Sequence, residues 1–459
     1  MAPSTYDAIV IGTGQAGPFV ASRFAKAGMT VAVVERGLFG GTCVNTGCIP
    51  TKTMVASAYA AHMARRAADF GVGIAGAVSV DMVRVKARKD AISGQSRNGV
   101  EAGLRKAEHC TVYQGHARFE SPRVVSVGSE RITSERIFIN VGGRASIPPM
   151  PGLDRVPFLT NSSMMDVDFI PEHLIVVGGS YIGLEFGQMF QRFGSHVTIV
   201  EMRDRLIRRE DEDVSAAILE IIEGEGIHVR LNAKCISLSR EGTNIMAKVE
   251  CTAGAPEVTG THVLLAVGRR PNTDDLGLDA AGVAVDEHGY IVVDDQLRTN
   301  VPGIWALGDC NGQGAFTHTS FNDAEIVVAN LLENDSRRVS DRIPVYGLFV
   351  DPPLGRVGMT ESDVRATGRP ALVGKRAMKD VKRAVEKGEP QGFMKVVVDA
   401  ETSRILGAAI LGTGGDEVVH SILDVMYAKA PYTLIKRAVH IHPTVSELIP
   451  TTLWSLKPL

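Results

Sequence analysis

Two cysteines, Cys43 and Cys48, stand with four residues between them in "GGTCVNTGCIPTK". The other four, Cys110, Cys235, Cys251 and Cys310, are scattered and read as small buried apolar groups. In a reducing compartment a lone close pair is redox-active or metal-binding more often than structural. On a straight helix five residues give about 7.5 Å of rise and about 140° of rotation, too far and too skewed for a disulfide. The spacing therefore predicts a bent loop, with Asn45 and Gly47 to turn it and Pro50 early in the helix that follows. Cys48 then lies close to a helix N-terminus, where the dipole and Lys52 favour thiolate over thiol. Zinc would need a second Cys or His pair at ligand spacing, and none stands in the sequence.

Such a pair needs a frame, and the sequence writes one twice. "YDAIVIGTGQAGPFVASRFAKAGMTVAVVER" and "EHLIVVGGSYIGLEFGQMFQRFGSHVTIVEM" each read as an apolar strand, a glycine turn, a helix, and a second apolar strand closed by Glu. Gly12, Gly14 and Gly17 complete a GxGxxG loop, with Glu35 about 20 positions on. Gly12 permits the turn, Gly14 lets backbone N–H groups reach a pyrophosphate, and Gly17 brings helix and strand together. Glu35 is placed to accept from ribose hydroxyls. In the second copy Gly178 and Gly183 fit, Ser180 holds the middle position, and Glu201 closes the strand. The fold class is thus α/β: two doubly wound, Rossmann-like nucleotide-binding domains. "IPPMPGLDRVP" and "VGRRPNTDDLG" mark seams around the second. From about residue 343, alternating strands such as "GFMKVVVD" and "ILGAAILG" mix with helical stretches, reading as a separate α+β domain.

At 459 residues the chain has room for two to four domains. With 44% hydrophobic and 22% charged residues, it reads as compactly folded. A net charge of −3 offers no field for a phosphate backbone, so nucleic acid is not an expected partner. No apolar run reaches the roughly 18 residues of a membrane span, and no basic leader precedes the first strand; a cytoplasmic location is expected.

The redox loop, the paired glycine loops and the ending "HIHPTVSE" together resemble the pyridine nucleotide-disulfide oxidoreductases, the family of dihydrolipoyl dehydrogenase, glutathione reductase and mercuric reductase. The resemblance spans essentially the whole chain. It implies FAD and NADH or NADPH as cofactors, and a homodimer with an active site shared between chains. The implied domains are 1–149 for FAD with the cysteine loop, 150–270 for NAD(P), 271–342 returning to the FAD domain, and 343–459 for dimerisation. Cys43 looks like the thiol that attacks substrate and Cys48 like the thiol against the flavin. Lys52 would lie near flavin N5, paired with Glu185. Tyr181 would be the gate that yields to nicotinamide. Asp309, beside Gly308, would hold the ribityl chain, and Gly41, Thr42, Gly142, Thr317, Gly268 and Arg269 join the cofactor-binding set. His442 and Glu447 look like an acid–base pair contributed by the other subunit, while His440 and His318 are at best lining residues.

For the acceptor, the resemblance points to a disulfide, a metal ion or another oxidant, with no resident metal. The redox loop is nearest to the mercuric reductase-like group, yet no cysteine follows Cys310 and the chain opens directly on its first strand. Where the glutathione branch binds peptide carboxylates with Arg, Ser22 and Glu325 stand here. Dihydrolipoyl dehydrogenase is the alternative, and a non-enzymatic flavin/thiol redox sensor the alternative of another class; His442 and Glu447 count against the sensor. Glu201 favours a free ribose 2′-hydroxyl and so NADH, against which Arg203 and Arg205 offer a 2′-phosphate site.

Overall fold

The structure, a computed structural model, describes residues 2–250 and 255–459. Cys251 and the side chain of Cys235 lie outside this description. The first sheet is parallel and five-stranded, in the order Ile304–Ala306, Ile137–Ile139, Ala8–Ile11, Val31–Glu35, Cys110–Gln114. Strands Ala8–Ile11 and Val31–Glu35 are rich in Val and Ile and buried throughout, as a sheet covered on both faces requires. Helix Ala16–Lys26 seats Val20, Ala21 and Phe24 against it. Because Ile304–Ala306 returns to the edge of this sheet, Asp309 arrives beside the first glycine loop although it is remote in sequence.

The second parallel sheet runs His228–Arg230, His196–Val200, His173–Val177, His262–Leu265. Its helix Tyr181–Phe193 buries ten of thirteen residues. Buried polar residues included, it sits between its own sheet and helix Cys48–Arg65, which brings Glu185 to the cysteine segment.

The last sheet has six strands in the order Val345–Leu348, Leu354–Gly358, Ile405–Leu411, Phe393–Asp399, Ala371–Ala377, Lys457–Pro458, each neighbouring pair antiparallel. Alternating exposure was expected here, but Phe393–Asp399 is buried at all seven positions. One face packs Met394, Val396 and Val398 against Ile449 and Leu453, and Phe393 enters the core that contains Phe186 and Leu184 of the second nucleotide unit. Two small antiparallel sheets escape the periodicity reading: Ala117–Ser121, Val124–Val127 and Glu130–Thr133, with Ser4–Thr5 added in parallel, and Lys234–Glu241, Asn244–Glu250 and Glu257–Gly260. Among the described residues no helix is long and apolar enough to cross a membrane. Cys310 is buried beside Ile139 and Ala306, and Cys110 is half-buried against the cluster that holds Phe24 and Val33.

Lys395 is a buried charge within that six-stranded sheet. Its ammonium lies 2.9 Å from Asp211, 2.7 Å from Asp213 and 3.0 Å from Glu361, so each of its three donors has a carboxylate. The cluster ties the second nucleotide unit to the C-terminal sheet. Lys395→Ala is expected to lower stability by about 3–5 kcal/mol, because the carboxylates stay behind without their counter-ion. A urea titration followed by circular dichroism measures it, and an unchanged midpoint would contradict this role.

Candidate active site

The bent loop expected around Cys43 is in part helical. Cys43 occupies a single helical turn, Gly41–Asn45, entered through Gly40 at φ 94° and Gly41 at φ 61°, a conformation that glycine adopts without strain. Asn45 closes the turn from its side chain, donating to the carbonyls of Phe39 and Gly41, each at 2.9 Å. Thr46 and Gly47 then reverse direction, and Cys48 is the first residue of helix Cys48–Arg65. Both cysteines are free thiols on the wall of a cavity of about 820 Å³.

The two thiols differ in acidity. Cys48 is lowered to about 6, first because the Cys43 thiol hydrogen-bonds to its sulfur, then through the Thr317 hydroxyl, 3.0 Å away, and the positive charge of Lys52, with burial opposing. Cys43 is raised, by that same bond to Cys48, by burial and by the negative charge beside it. Sequence reasoning credited the helix terminus and Lys52; the partner thiol and Thr317 stand ahead of both.

Lys52 Nζ meets Glu185 Oε2 at 2.5 Å, and the other Glu185 oxygen accepts from the Phe349 N–H at 3.1 Å. The ammonium also lies 4.4 Å from the centre of the Phe349 ring. The first nucleotide unit, the second and the C-terminal domain thus meet at one ion pair.

The cavity walls fit FAD. A Cβ on Gly12 would run into the Asn140 carbonyl, and one on Gly17 into the carbonyl of Gly12, so the turn closes only with glycine. Asn140 Nδ2 is buried without a hydrogen-bond partner and lies against Gly14 and Gly17, a donor in want of an acceptor. Glu35 accepts from the Thr13 N–H at 2.9 Å, the Thr13 hydroxyl at 2.5 Å and the Gly37 N–H at 2.8 Å. That leaves about one of its four lone-pair sites for a ribose hydroxyl. Gly41, Thr42 and Gly142 line the same space, as do Asp309 and Thr317. Asp309 is raised by burial, with Arg269, at 3.4 Å, acting against the shift. Gly308 does not line the cavity: at φ 72° it aims its N–H at Asp323, 2.8 Å away, and so anchors the turn that carries Asp309.

The second glycine loop repeats the construction of the first. A Cβ on Gly178 would meet the Ala266 carbonyl, and one on Gly183 the Gly178 carbonyl. Glu201 accepts from Gly179 at 2.7 Å and Arg203 at 2.8 Å, both through backbone N–H groups. These residues and Gly268, at φ 114°, lie off the cavity wall, while Tyr181, Glu185 and Arg269 lie on it.

His442 and Glu447 are paired with each other, Nδ1 to carboxylate oxygens at 2.9 and 3.0 Å, but are not brought to the cysteines of their own chain. The His442 side chain is 75% exposed, and its neighbours Val439 and Ile441 are 100% and 79% exposed. An apolar rim of this kind marks a surface that another molecule covers. His318 lines the cavity with Nε2 bonded to the Val345 carbonyl at 2.7 Å. Sequence reasoning missed Arg209, Phe316 and Tyr346, which surround Tyr181, and Asp416 and His420, which line the cavity. No motif carries them, because they meet only in three dimensions.

Comparison with known proteins agrees with this geometry. Residues 6–324 match the pyridine nucleotide-disulphide oxidoreductase family and residues 345–453 its dimerisation domain. The chain is 36% identical to the probable pyridine nucleotide-disulfide oxidoreductase RclA of Escherichia coli K12, over 96% of this chain and 97% of that one. It is 32% identical to a mercuric reductase of Streptomyces lividans (97% and 94% covered) and 33% identical to a dihydrolipoyl dehydrogenase of Thermus scotoductus (96% and 95% covered). The structure of the Cu(II) complex of the HOCl-induced flavoprotein disulfide reductase RclA from Escherichia coli superposes with a TM-score of 0.89 at 34% identity, covering 99% of each chain. The chain belongs to the pyridine nucleotide-disulfide oxidoreductases, enzymes that depend on FAD and a pyridine nucleotide.

Proposed function

We propose that this protein is an NADH-driven reductase whose Cys43/Cys48 dithiol delivers electrons to a thiol-reactive metal ion, Cu(II) foremost, or to a small disulfide. The opposite shifts of the two cysteines on one cavity wall carry this reading. When bound, FAD supplies a two-electron relay between the nicotinamide and the Cys43/Cys48 disulfide. The remaining work falls to side chains. Cys48 holds the negative charge; Cys43, protonated, must lose its proton to a base before it can attack. His442 of the partner subunit is proposed as that base, oriented by Glu447.

With a disulfide acceptor, the Cys43 thiolate attacks one sulfur, and the leaving thiolate takes the proton held by His442. Cys48 then attacks Cys43, releasing the second thiolate and restoring the protein disulfide. With Cu(II), two ions each accept one electron, the Cys43 thiol and Cys48 thiolate become the disulfide, and the one proton on Cys43 leaves. The Cu(II) complex of the similar RclA supports the metal branch. The ending "HPTVSE" and the dihydrolipoyl dehydrogenase relatives favour dihydrolipoamide as a second reading. NADH is preferred because Glu201 stands where a 2′-phosphate would be repelled, and because Arg205 is already engaged with Glu212 at 3.3 Å and the Arg208 carbonyl at 3.2 Å.

The test is a panel of acceptors on the NADH-reduced protein: Cu(II) with a Cu(I)-specific chelator, mercuric ion, lipoamide and glutathione disulfide. Turnover of Cu(II) is expected to exceed that of glutathione disulfide by on the order of 100-fold, since Glu325, where a cation would be needed, carries a negative charge and is held by Asn322 at 2.9 Å. Rapid glutathione turnover, or lipoamide turnover far above that of Cu(II), would replace this reading.

A further inference from the structure

We propose that Arg209 is the latch of the Tyr181 gate, a positioning residue that holds the phenol ring closed and that an incoming nicotinamide must displace. The proposal rests on the gate reading of Tyr181 and adds the group that sets how tightly the gate shuts.

Tyr181 begins helix Tyr181–Phe193, directly after the second glycine loop, and its ring stands on the wall of the cysteine cavity. Phe316 and Tyr346 lie parallel to one another, with centroids 5.8 Å apart and 7° between planes. Tyr181 meets both edge-on, at 5.9 and 5.6 Å. Arg209 enters this cluster with its guanidinium carbon 4.4 Å from the Tyr346 centroid, 4.9 Å from Tyr181 and 5.4 Å from Phe316. Its Nε donates to the Tyr181 hydroxyl at 2.6 Å. A planar guanidinium can present its face to rings while an edge N–H makes a directed bond; an ammonium cannot do both.

The anchoring continues behind Arg209. Glu210, the next residue, is buried and accepts from the Tyr346 hydroxyl. Tyr346 is therefore held by its ring on one side and its hydroxyl on the other, by two consecutive residues. Buried Arg356 lies 4.0 Å from both Glu210 and Asp211, and Asp211 in turn bonds Lys395. Tyr346 and Phe316 thus form a fixed wall, and Tyr181 is the ring in the cluster whose hydroxyl is tied to an exposed side chain. The latch is also the far end of the Glu201–Arg209 segment, whose near end carries Glu201 and Arg203 at the nucleotide loop. One stretch of chain faces both the nucleotide's ribose end and the gate.

A gate that must open before binding reduces apparent affinity by the fraction of time it is open. Loosening the latch should therefore tighten nucleotide binding. In the FAD-loaded protein, Arg209→Ala is expected to lower the calorimetric dissociation constant for NAD+ by about threefold to tenfold. It should lower the KM for NADH in parallel and leave the limiting rate of flavin reduction unchanged. Tyr181→Phe, which keeps the ring and removes the hydroxyl, should lower the dissociation constant for NAD+ by as much, and the double variant should add nothing to that of either single one. Arg209→Lys should fall between. Flavin content and melting temperature check that each variant folds.

Weaker NAD+ binding in Arg209→Ala, or additive effects in the double variant, would overturn the latch. Tyr181→Ala removes the gate outright. If that variant binds NAD+ as the unaltered protein does, the gate reading itself fails, a result distinct from failure of the latch alone.

Discussion

Co-expressed Cys43→Ser and His442→Gln chains are expected to recover about a quarter of the activity of the unaltered protein, although each variant alone is close to inactive. The arithmetic follows from a site shared between two chains. Random pairing makes half the dimers mixed, and each mixed dimer holds one site with both Cys43 and His442 intact. Alone, His442→Gln should lose on the order of 10²- to 10⁴-fold in turnover, the usual size of an acid–base contribution, while reduction of the flavin by NADH is unaffected. No recovery on mixing would place His442 in its own chain's site or outside catalysis. The geometry motivates the test: His442 and Glu447 bond to each other, are absent from the cysteine cavity of their own chain, and stand beside exposed Val439 and Ile441.

Cys48→Ser should abolish the long-wavelength absorbance that a thiolate beside the flavin produces, and lower turnover by on the order of 10³-fold or more. In the unaltered, reduced protein that absorbance should titrate with an apparent pKa near 6, the value to which Cys48 is lowered. One pH unit lower, it should fall to about a tenth. The sign for stability is the same: a depressed thiol stabilises the reduced fold above the ordinary value of 9.0, and this stabilisation is lost as pH falls through about 6. Cys43→Ala keeps Cys48 but removes the hydrogen bond that chiefly lowers it, so its titration should move upward. Thr317→Val should move it upward too, by less, because only the 3.0 Å contact of the second donor is lost. A titration midpoint of Cys43→Ala that stays near 6 would mean that Lys52 and the helix terminus suffice.

The parts of this molecule legible in the sequence were those in which short-range pattern and chemistry coincide. Gly12 and Gly17 had to be glycine because each approaches a carbonyl too closely for a Cβ, and the same holds for Gly178 and Gly183; the spacing alone reports it. The pairing of Lys52 with Glu185 was available only through family resemblance, since residues 133 apart leave no local trace of their contact. The bend at Asn45 and Gly47 was legible from the cysteine spacing, but not its helical form, which Asn45 closes from its side chain, whereas spacing rules describe backbones. Strand Phe393–Asp399 looked half-exposed because Lys395 interrupts its apolar run; three carboxylates from elsewhere in the chain make that charge an interior residue. The aromatic cluster at Arg209 draws on four separate segments and follows no period at all.

The Lys52–Glu185–Phe349 junction joins three globular units at one point. A hinge opening between the two nucleotide units would tear a partly buried ion pair, and one at the C-terminal domain would strip that pair of the Phe349 N–H or ring, so such excursions should be rare during a catalytic cycle. With Tyr181 as the proposed gate, nucleotide access needs only the rotation of that side chain and no domain swing on the microsecond-to-millisecond scale. Throughput in this molecule should therefore be limited by chemistry or by the encounter with the acceptor, and hardly at all by the pace at which the architecture breathes.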